Sequence, residues 1–253
     1  MRVFVIIPAA GLGTRMAPRS AGPQDAKAAP PAKQFAEIGG VPILVHTLRK
    51  FAAVGEVSEI YVARRSAESL RFEPQLEQEG FRIPVYMDVG GDNRQQSVAN
   101  ALAELEARSQ PLPGDVVLVH DAVRPFVDAE IIRSVIAAAA KHGAAIAGVP
   151  AVDTVKQVDR TAEGAIVTST VPRERVVMAQ TPQGFRFAVL KKAFDEAQAD
   201  GFTGTDEASL VERSGHEVAV VMGSPRNIKI TTPADLELAE FYLAQEKKDS
   251  AAD

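Results

Sequence analysis

Short runs of β-branched and aliphatic residues alternate along this chain with longer stretches in which apolar positions recur every three or four residues. The runs Val3–Ile7, Glu59–Ala63, Pro84–Met87, Val116–Val119, Ala144–Val149, Val218–Met222 and Asn227–Ile230 read as strands. The stretches Ile43–Ala53, Arg94–Arg108, Ala129–Lys141, Arg186–Ala199, Glu207–Ser214 and Ala234–Glu246 read as helices. Val98, Ala101, Leu102 and Leu105 form an i, i+3, i+4, i+7 stripe on the second of these. Thr232-Pro233-Ala234-Asp235 opens the last one with a cap residue, a proline in the first turn and a carboxylate three residues after the cap. This alternation predicts a three-layer α/β/α domain around a mostly parallel twisted sheet, with ligands at the carboxyl ends of the strands.

Two segments break the pattern. Ala17–Ala32, rich in Pro and Ala and without apolar period, reads as a mobile loop rather than a domain linker. Val155–Val158 and Ala165–Thr170 flank a polar turn at Asp159–Gly164 and read as a hairpin with little apolar surface of its own to bury. The expected organisation is one domain over 1–253 with a protruding hairpin arm at 152–176 that packs on a second subunit, and a frayed tail from Lys247 to Asp253.

Composition narrows the function. With Lys+Arg 28 against Asp+Glu 33 the net charge is −5, which argues against a general nucleic-acid or anionic-membrane binder. Cysteine is absent, so disulfides, thiolate zinc sites and a cysteine nucleophile are excluded. No apolar run approaches the ~20 residues of a membrane span. Met1-Arg2 before Val3–Ile7 faintly resembles a signal peptide, but its apolar part is short and glycines interrupt it. A soluble cytoplasmic protein is expected.

The chemistry begins where the first strand runs into Pro8-Ala9-Ala10-Gly11-Leu12-Gly13-Thr14-Arg15. Glycines let backbone N–H groups approach phosphate oxygens, and Arg15 and Lys33 bracket the loop with positive charge. It is not a Walker loop, since no Gly-Lys-Ser/Thr follows, and Met16 stands where a dinucleotide fingerprint needs its third glycine. A tight turn with a solvated arginine is the alternative. Gly90-Gly91-Asp92-Asn93-Arg94 forms a second glycine turn before a helix, with Asp92 or Asn93 as cap and Ser97 one turn inside; it reads either as capping alone or as contacts to a base or ribose. His120-Asp121-Ala122-Val123-Arg124-Pro125 follows a strand directly, and there a hard carboxylate oxygen and a forked cation suit a Mg²⁺-phosphate site, or else a structural salt bridge. His120 reads as structural. Thr205 reads as a ligand contact or merely a cap for the helix after it, and Arg173 with Arg175 as a site or a solvated cluster. Lys229 interrupts an apolar strand and so calls for a partner or a ligand unless it faces solvent.

Pro8-Ala9-Ala10-Gly11, Gly91-Asp92, His120 to Pro125, Thr181-Pro182-Gln183, Thr205-Asp206-Glu207-Ala208 and Asn227-Ile228-Lys229-Ile230-Thr231, in that order, closely resemble the 2-C-methyl-D-erythritol 4-phosphate cytidylyltransferase family of isoprenoid precursor synthesis. The resemblance spans nearly the whole chain and implies a Rossmann-like nucleotidyltransferase domain, with CTP and a polyol phosphate as substrates and pyrophosphate as a product. It implies that Ala9, Ala10, Gly11, Leu12 and Gly13 form the triphosphate loop, that Arg15 and Lys33 are its cations, and that Gly91, Asp92, Arg94, Ser97 and Ala122 line the cytidine side. It further implies Asp121 on the metal side with Mg²⁺, Arg124, Thr154, Thr181 and Thr205 on the polyol phosphate, and Lys229 between both substrates. Arg173 would act in trans within a homodimer joined by the arm. One departure is that Ala32 precedes Lys33, after a long Pro/Ala-rich insertion, where the family places Pro and reaches its lysine sooner.

The inventory agrees with such a reaction, because a phosphate nucleophile is ionised at neutral pH and needs positioning and cations rather than a base. The alternatives are a ribitol-5-phosphate cytidylyltransferase on the same scaffold, a nicotinamide-dependent oxidoreductase, disfavoured by the incomplete glycine pattern, and a non-catalytic nucleotide sensor.

Overall fold

The computed structural model describes residues 1–11, 33–64, 76 and 78–249. Its main sheet has seven strands: β1 (Val3–Pro8), β4 (Val57–Arg64), β5 (Val85–Val89), β6 (Val116–Val119), β7 (Ala144–Pro150), β10 (Val177–Arg186) and β11 (Ala219–Met222). Their order is β11-β7-β10-β6-β1-β4-β5, and only β10 runs antiparallel to its neighbours, β6 and β7. Two short strands, β2 (Glu37–Ile38) and β3 (Val41–Pro42), pair separately, and β8 (Val155–Thr161) with β9 (Gly164–Val171) forms the expected hairpin.

The apolar runs become buried strands because both faces of the sheet are covered. Val3, Val5 and Ile7 point into one core with α1 (Ile43–Ala52) and α3 (Ala129–His142), whereas Phe4 and Ile6 point into the other. That second core holds the stripe of α2 (Arg94–Ser109), together with α4 (Phe187–Ala199) and α5 (Glu207–Arg213). A third, smaller cluster joins Ile38, Val123, Phe126 and Ile230 to α6 (Pro233–Asp249). The expected three layers and mostly parallel sheet are present. From β1 the chain proceeds outward to β4 and β5, then returns to place β6 on the other side of β1, so the ends of β1 and β6 flank a crevice at the reversal.

Two elements differ from the sequence pattern. Asn227–Ile230 is not a strand. The N–H groups of Asn227 and Ile228 turn back to the carbonyls of Ser224 and Arg226, and only Ile230 N–H reaches another segment, at Val123 (3.0 Å). Conversely, β10 is a central strand despite its polar sequence and Pro182. A proline there removes a ladder donor, and the register of β10 against β7 shifts between Ala179 and Gln183, around it. The arm's side chains are almost all exposed, Ile166 and Val167 included. The loop expected at Ala17–Ala32 lies outside the described residues, as does the end of the tail.

The end of β6 is locked to β10 by His120. Asp121 N–H donates to Thr181 Oγ1 (3.1 Å), which leaves the hydroxyl proton of Thr181 for Nδ1 of His120 (3.0 Å). Nε2 of His120 therefore carries the ring proton and donates to the Arg124 carbonyl (3.1 Å). The ring is fully buried against the edge of Phe51. Burial lowers the His120 pKa to about 4, outweighing the Arg124 hydrogen bond and the charge of Asp121. The unfolded chain thus takes up this proton before the folded one, and the stability held above pH 6.5 is lost as pH falls from there toward 4. Urea unfolding at pH 7 and pH 5 should show the wild type losing about 2 kcal/mol more than His120→Gln over that interval. Equal losses in both proteins would assign the titration elsewhere.

Candidate functional site

Two loops meet at the mouth of the crevice. Ala9 N–H bonds the Ala63 carbonyl (2.7 Å), carrying the first loop outward from β1 beside the end of β4. Gln34, buried in a 3₁₀ turn at Lys33–Phe35, donates through Nε2 to the carbonyls of Ala9 (2.6 Å) and Gly11 (3.1 Å). This fixes the backbone of the first loop and brings the Lys33 backbone beside it. The second loop seats against the first at Gly90, where a Cβ would lie 2.5 Å from that of Ala10. Gly90 N–H bonds the Arg64 carbonyl (2.7 Å), and Gly91 N–H bonds Ser97 Oγ (3.0 Å), which in turn donates to the Asn93 carbonyl (2.8 Å). Asn93, rather than Asp92, caps α2 through Gln96 N–H, and Asp92 N–H meets the Gln96 side chain.

Between these loops and the 227–230 segment stands Asp121, two residues past the end of β6 and 7% exposed. Lys229 Nζ lies 2.9 Å and Arg124 Nε 3.2 Å from its Oδ2, and Arg94 Nε lies 3.4 Å from its Oδ1. Arg124 also donates to the Asn227 carbonyl (2.7 Å), which ties the lysine-bearing segment to β6. Arg94 reaches the other way as well, through Nη1 to both oxygens of Glu207 (2.7 and 2.9 Å) at the start of α5. Burial pushes Asp121 toward the neutral form, but Arg94, Lys229 and Arg124 together outweigh it and hold the carboxyl well below the usual carboxylate range. Glu207 is fully buried with one cation beside it, and burial wins, raising its pKa. Arg94 is held more firmly protonated than usual, its burial being outweighed by Glu207 and Asp121.

The structure therefore brings together Ala9, Ala10, Gly11, Gly91, Asp92, Arg94, Ser97, Asp121, Ala122, Arg124, Thr181 and Lys229 around adjacent strand ends. Ala122 is buried, its carbonyl accepting from Thr47 Oγ1 (2.9 Å). Leu12, Gly13 and Arg15 lie outside the described residues. Thr154, Arg173 and Thr205 are exposed, and no hydrogen bond or ion pair joins their side chains to the Asp121 cluster among the described residues. Arg173 instead donates to the Val152 carbonyl (2.9 Å) at the base of the arm. Thr205 does not cap α5; Asp206 does, by a reciprocal bond with Ser209. Gln34 and Glu207 carry no site role legible in the sequence, because their partners lie far along the chain. Motif position alone marks them, one residue after Lys33 and two residues after Thr205.

These residues do not fit a metal held by the protein. Both oxygens of Asp121 face cations, Glu207 is taken by Arg94, and no group of three or more His, Asp or Glu among the described residues could hold a metal ion. The resemblance implied Asp121 on the metal side; direct coordination there would set a divalent ion among three like charges. What the cluster does offer is a surplus of fixed positive charge beside a backbone loop, suited to phosphate groups.

Comparison with known proteins agrees with this geometry. The family model of 2-C-methyl-D-erythritol 4-phosphate cytidylyltransferase matches residues 3–245. A protein of that name from Acidobacterium capsulatum is 59% identical over 245 residues, covering 97% of this chain and 98% of that one. A crystal structure of 4-diphosphocytidyl-2C-methyl-D-erythritol synthase from Anaerococcus prevotii superposes with a TM-score of 0.77 at 31% identity, covering 96% of each chain. That of 2-C-methyl-D-erythritol 4-phosphate cytidylyltransferase from Francisella tularensis gives 0.76 at 34%, covering 95% of this chain and 99% of that one. With its fold, its loops and nearly its whole length accounted for in this way, the chain belongs to the 2-C-methyl-D-erythritol 4-phosphate cytidylyltransferase family.

Proposed function

We propose that this enzyme transfers the cytidylyl group of CTP to the phosphate of 2-C-methyl-D-erythritol 4-phosphate, giving 4-diphosphocytidyl-2-C-methyl-D-erythritol and pyrophosphate. The observation that carries the reading is the convergence of Arg94, Arg124 and Lys229 on Asp121 beside the loop that leaves β1, in a chain of this family. An acceptor phosphate oxygen attacks the α-phosphorus of CTP in line, and the bond from that phosphorus to the bridging oxygen of the β-phosphate breaks. The second ionisation of a phosphate monoester lies near pH 6, so the nucleophile is already charged and no base is needed. The barrier lies in bringing two polyanions together, and fixed cations that require no reorganisation lower it. Lys229 stands where both substrates meet and Arg124 toward the acceptor, with Asp121 keeping both aimed. Arg15 and Lys33 stabilise the triphosphate with the loop from Ala9 to Gly13. Gly91, Asp92, Arg94, Ser97 and Ala122 receive the nucleoside. CTP would bring its own divalent counter-ion, Mg²⁺, whose charge would add to that of these residues.

We infer that residues 1–253 act as one domain whose arm at 152–176 joins a homodimer, bringing Arg173 to the partner's site alongside Thr154, Thr181 and Thr205 on the acceptor. The exposed arm, with Ile166 and Val167 uncovered, supports this. No helix among the described residues is long and apolar enough to cross a membrane. We place the enzyme in the cytoplasm, where CTP is made. Ribitol 5-phosphate as acceptor is the reading not favoured.

Mixing the protein and Mg²⁺ with each nucleoside triphosphate and either polyol phosphate should yield, by mass spectrometry, a cytidine diphosphate adduct of methylerythritol; a predominant ribitol adduct would refute the assignment. Asp121→Asn should lower kcat/KM for the acceptor about 100-fold or more, because Lys229 and Arg124 lose their common anchor. Since Asp121 stays ionised well below the usual carboxylate range, the ratio of wild-type to variant rate should be constant from pH 8 to pH 5, whatever the acceptor phosphate does in both. A ratio that collapses toward pH 5 would show Asp121 titrating and end its role as a permanent anchor. Finally, equal mixtures of inactive Arg173→Ala and Lys229→Ala, allowed to exchange subunits, should regain about a quarter of wild-type activity, since half the dimers would carry one intact site in two. No recovery would place Arg173 in its own subunit's site, and an Arg173→Ala variant that is active by itself would place it in none.

A further inference from the structure

Glu207 is a carboxylate whose role goes beyond the one bond it makes to its own backbone N–H at the start of α5. Asp206 already caps that helix, accepting from Ser209 N–H (3.0 Å), and Ala208 N–H is met by Gln183 Oε1 (3.0 Å). Yet Glu207 is 1% exposed, and burial works against its charge. A buried ion pair is weak evidence of added stability, since an apolar pair of similar volume often does as well. Its value here is directional. Both oxygens converge on Nη1 of Arg94, which leaves Nε of the same guanidinium toward Asp121.

The next residue along strengthens the connection. Gln95 donates to the Phe202 carbonyl (3.0 Å) and accepts from Gly204 N–H (2.9 Å), so the first turn of α2 is pinned to the 202–207 segment at two successive residues. That first turn is the outer wall of the Gly90–Asn93 loop, and Thr205 hangs from the same segment between its two pins.

We propose that Glu207 is a positioning residue for the nucleotide: by holding Nη1 of Arg94 it fixes the guanidinium and the Gly90–Arg94 loop in the shape that receives CTP. This rests on the functional reading above, under which that loop takes the nucleoside. Glu207→Gln can present only one acceptor to Nη1 and sets an amide donor against it, so Arg94 is released toward Asp121. CTP titrated calorimetrically into the full-length protein without acceptor, followed by steady-state kinetics, tests the idea. Kd and KM for CTP should rise roughly tenfold in Glu207→Gln, while KM for the acceptor stays within about twofold. A merely structural role would lower the unfolding midpoint and leave both constants alone. The double variant Arg94→Gln with Glu207→Gln, which removes the buried charges together, should bind CTP no worse than Arg94→Gln alone. Unchanged CTP binding in Glu207→Gln, or additive losses in the double variant, would overturn the inference and leave the functional reading standing. A wild-type protein that binds no CTP would overturn both.

Discussion

The site depends on one buried negative charge. Asp121 sits at the end of β6 with little water to solvate it, and an isolated carboxylate there would take up a proton. It remains ionised because three cations converge on it, one from three residues on, Arg124, and two from distant parts of the chain, Arg94 at the start of α2 and Lys229 on the segment after β11. The dependence is mutual. Without the carboxylate, three like charges would stand within a few ångströms of one another and swing outward to water. With it, they are held inside, and among Asp121, Glu207, Arg94, Arg124 and Lys229 one positive charge is left over for a substrate.

Neutral contacts hold that arrangement in register. Thr181 and His120 fasten the end of β6 to β10 through one ordered chain of protons. Gln183, two residues along β10, holds the start of α5 by donating a hydrogen bond to Asp206 Oδ2 and accepting one from Ala208 N–H. Asn227 donates to the Thr181 carbonyl (2.8 Å), so the lysine-bearing segment hangs on β10 as well. The antiparallel strand thus does more than fill a place in the sheet. It carries the side chains that hold the start of α5 and the 227–230 segment in place around Asp121.

Much of this was legible in the sequence, and what was not has a common cause. β1, β6 and β7 announce themselves because a strand buried on both faces must be apolar throughout. The caps of α2 and α6 follow from residues within one turn of each other. β10 is hidden because its middle is polar, and it is polar because Gln180, Thr181 and Gln183 face partners rather than a core. The 227–230 segment shows the converse: Asn227, Ile228 and Ile230 look like a strand because they are packed, but they lie past the strand ends, where no neighbouring ladder is available. Gln34 and Glu207 could not be assigned from spacing, since Gln34 acts on a loop 23 to 25 residues earlier and Glu207 on an arginine 113 residues away.

A cluster with its own carboxylates is weaker in bare attraction than three free cations would be, and the difference bears on what the site selects. Three uncompensated cations would bind any polyanion, including the product pyrophosphate, and would be flexible when empty. Neutralising two of the three with Asp121 and Glu207 lowers the unspecific pull, while the fixed geometry keeps the directions in which the N–H groups point. Attraction is then recovered only by a ligand whose oxygens meet those directions together, as in the approach of one phosphate to another. Differential stabilisation of that approach over either substrate alone is what a transfer between two anions requires. Under the proposed function, the carboxylates therefore serve the reaction by opposing part of the charge that drives it.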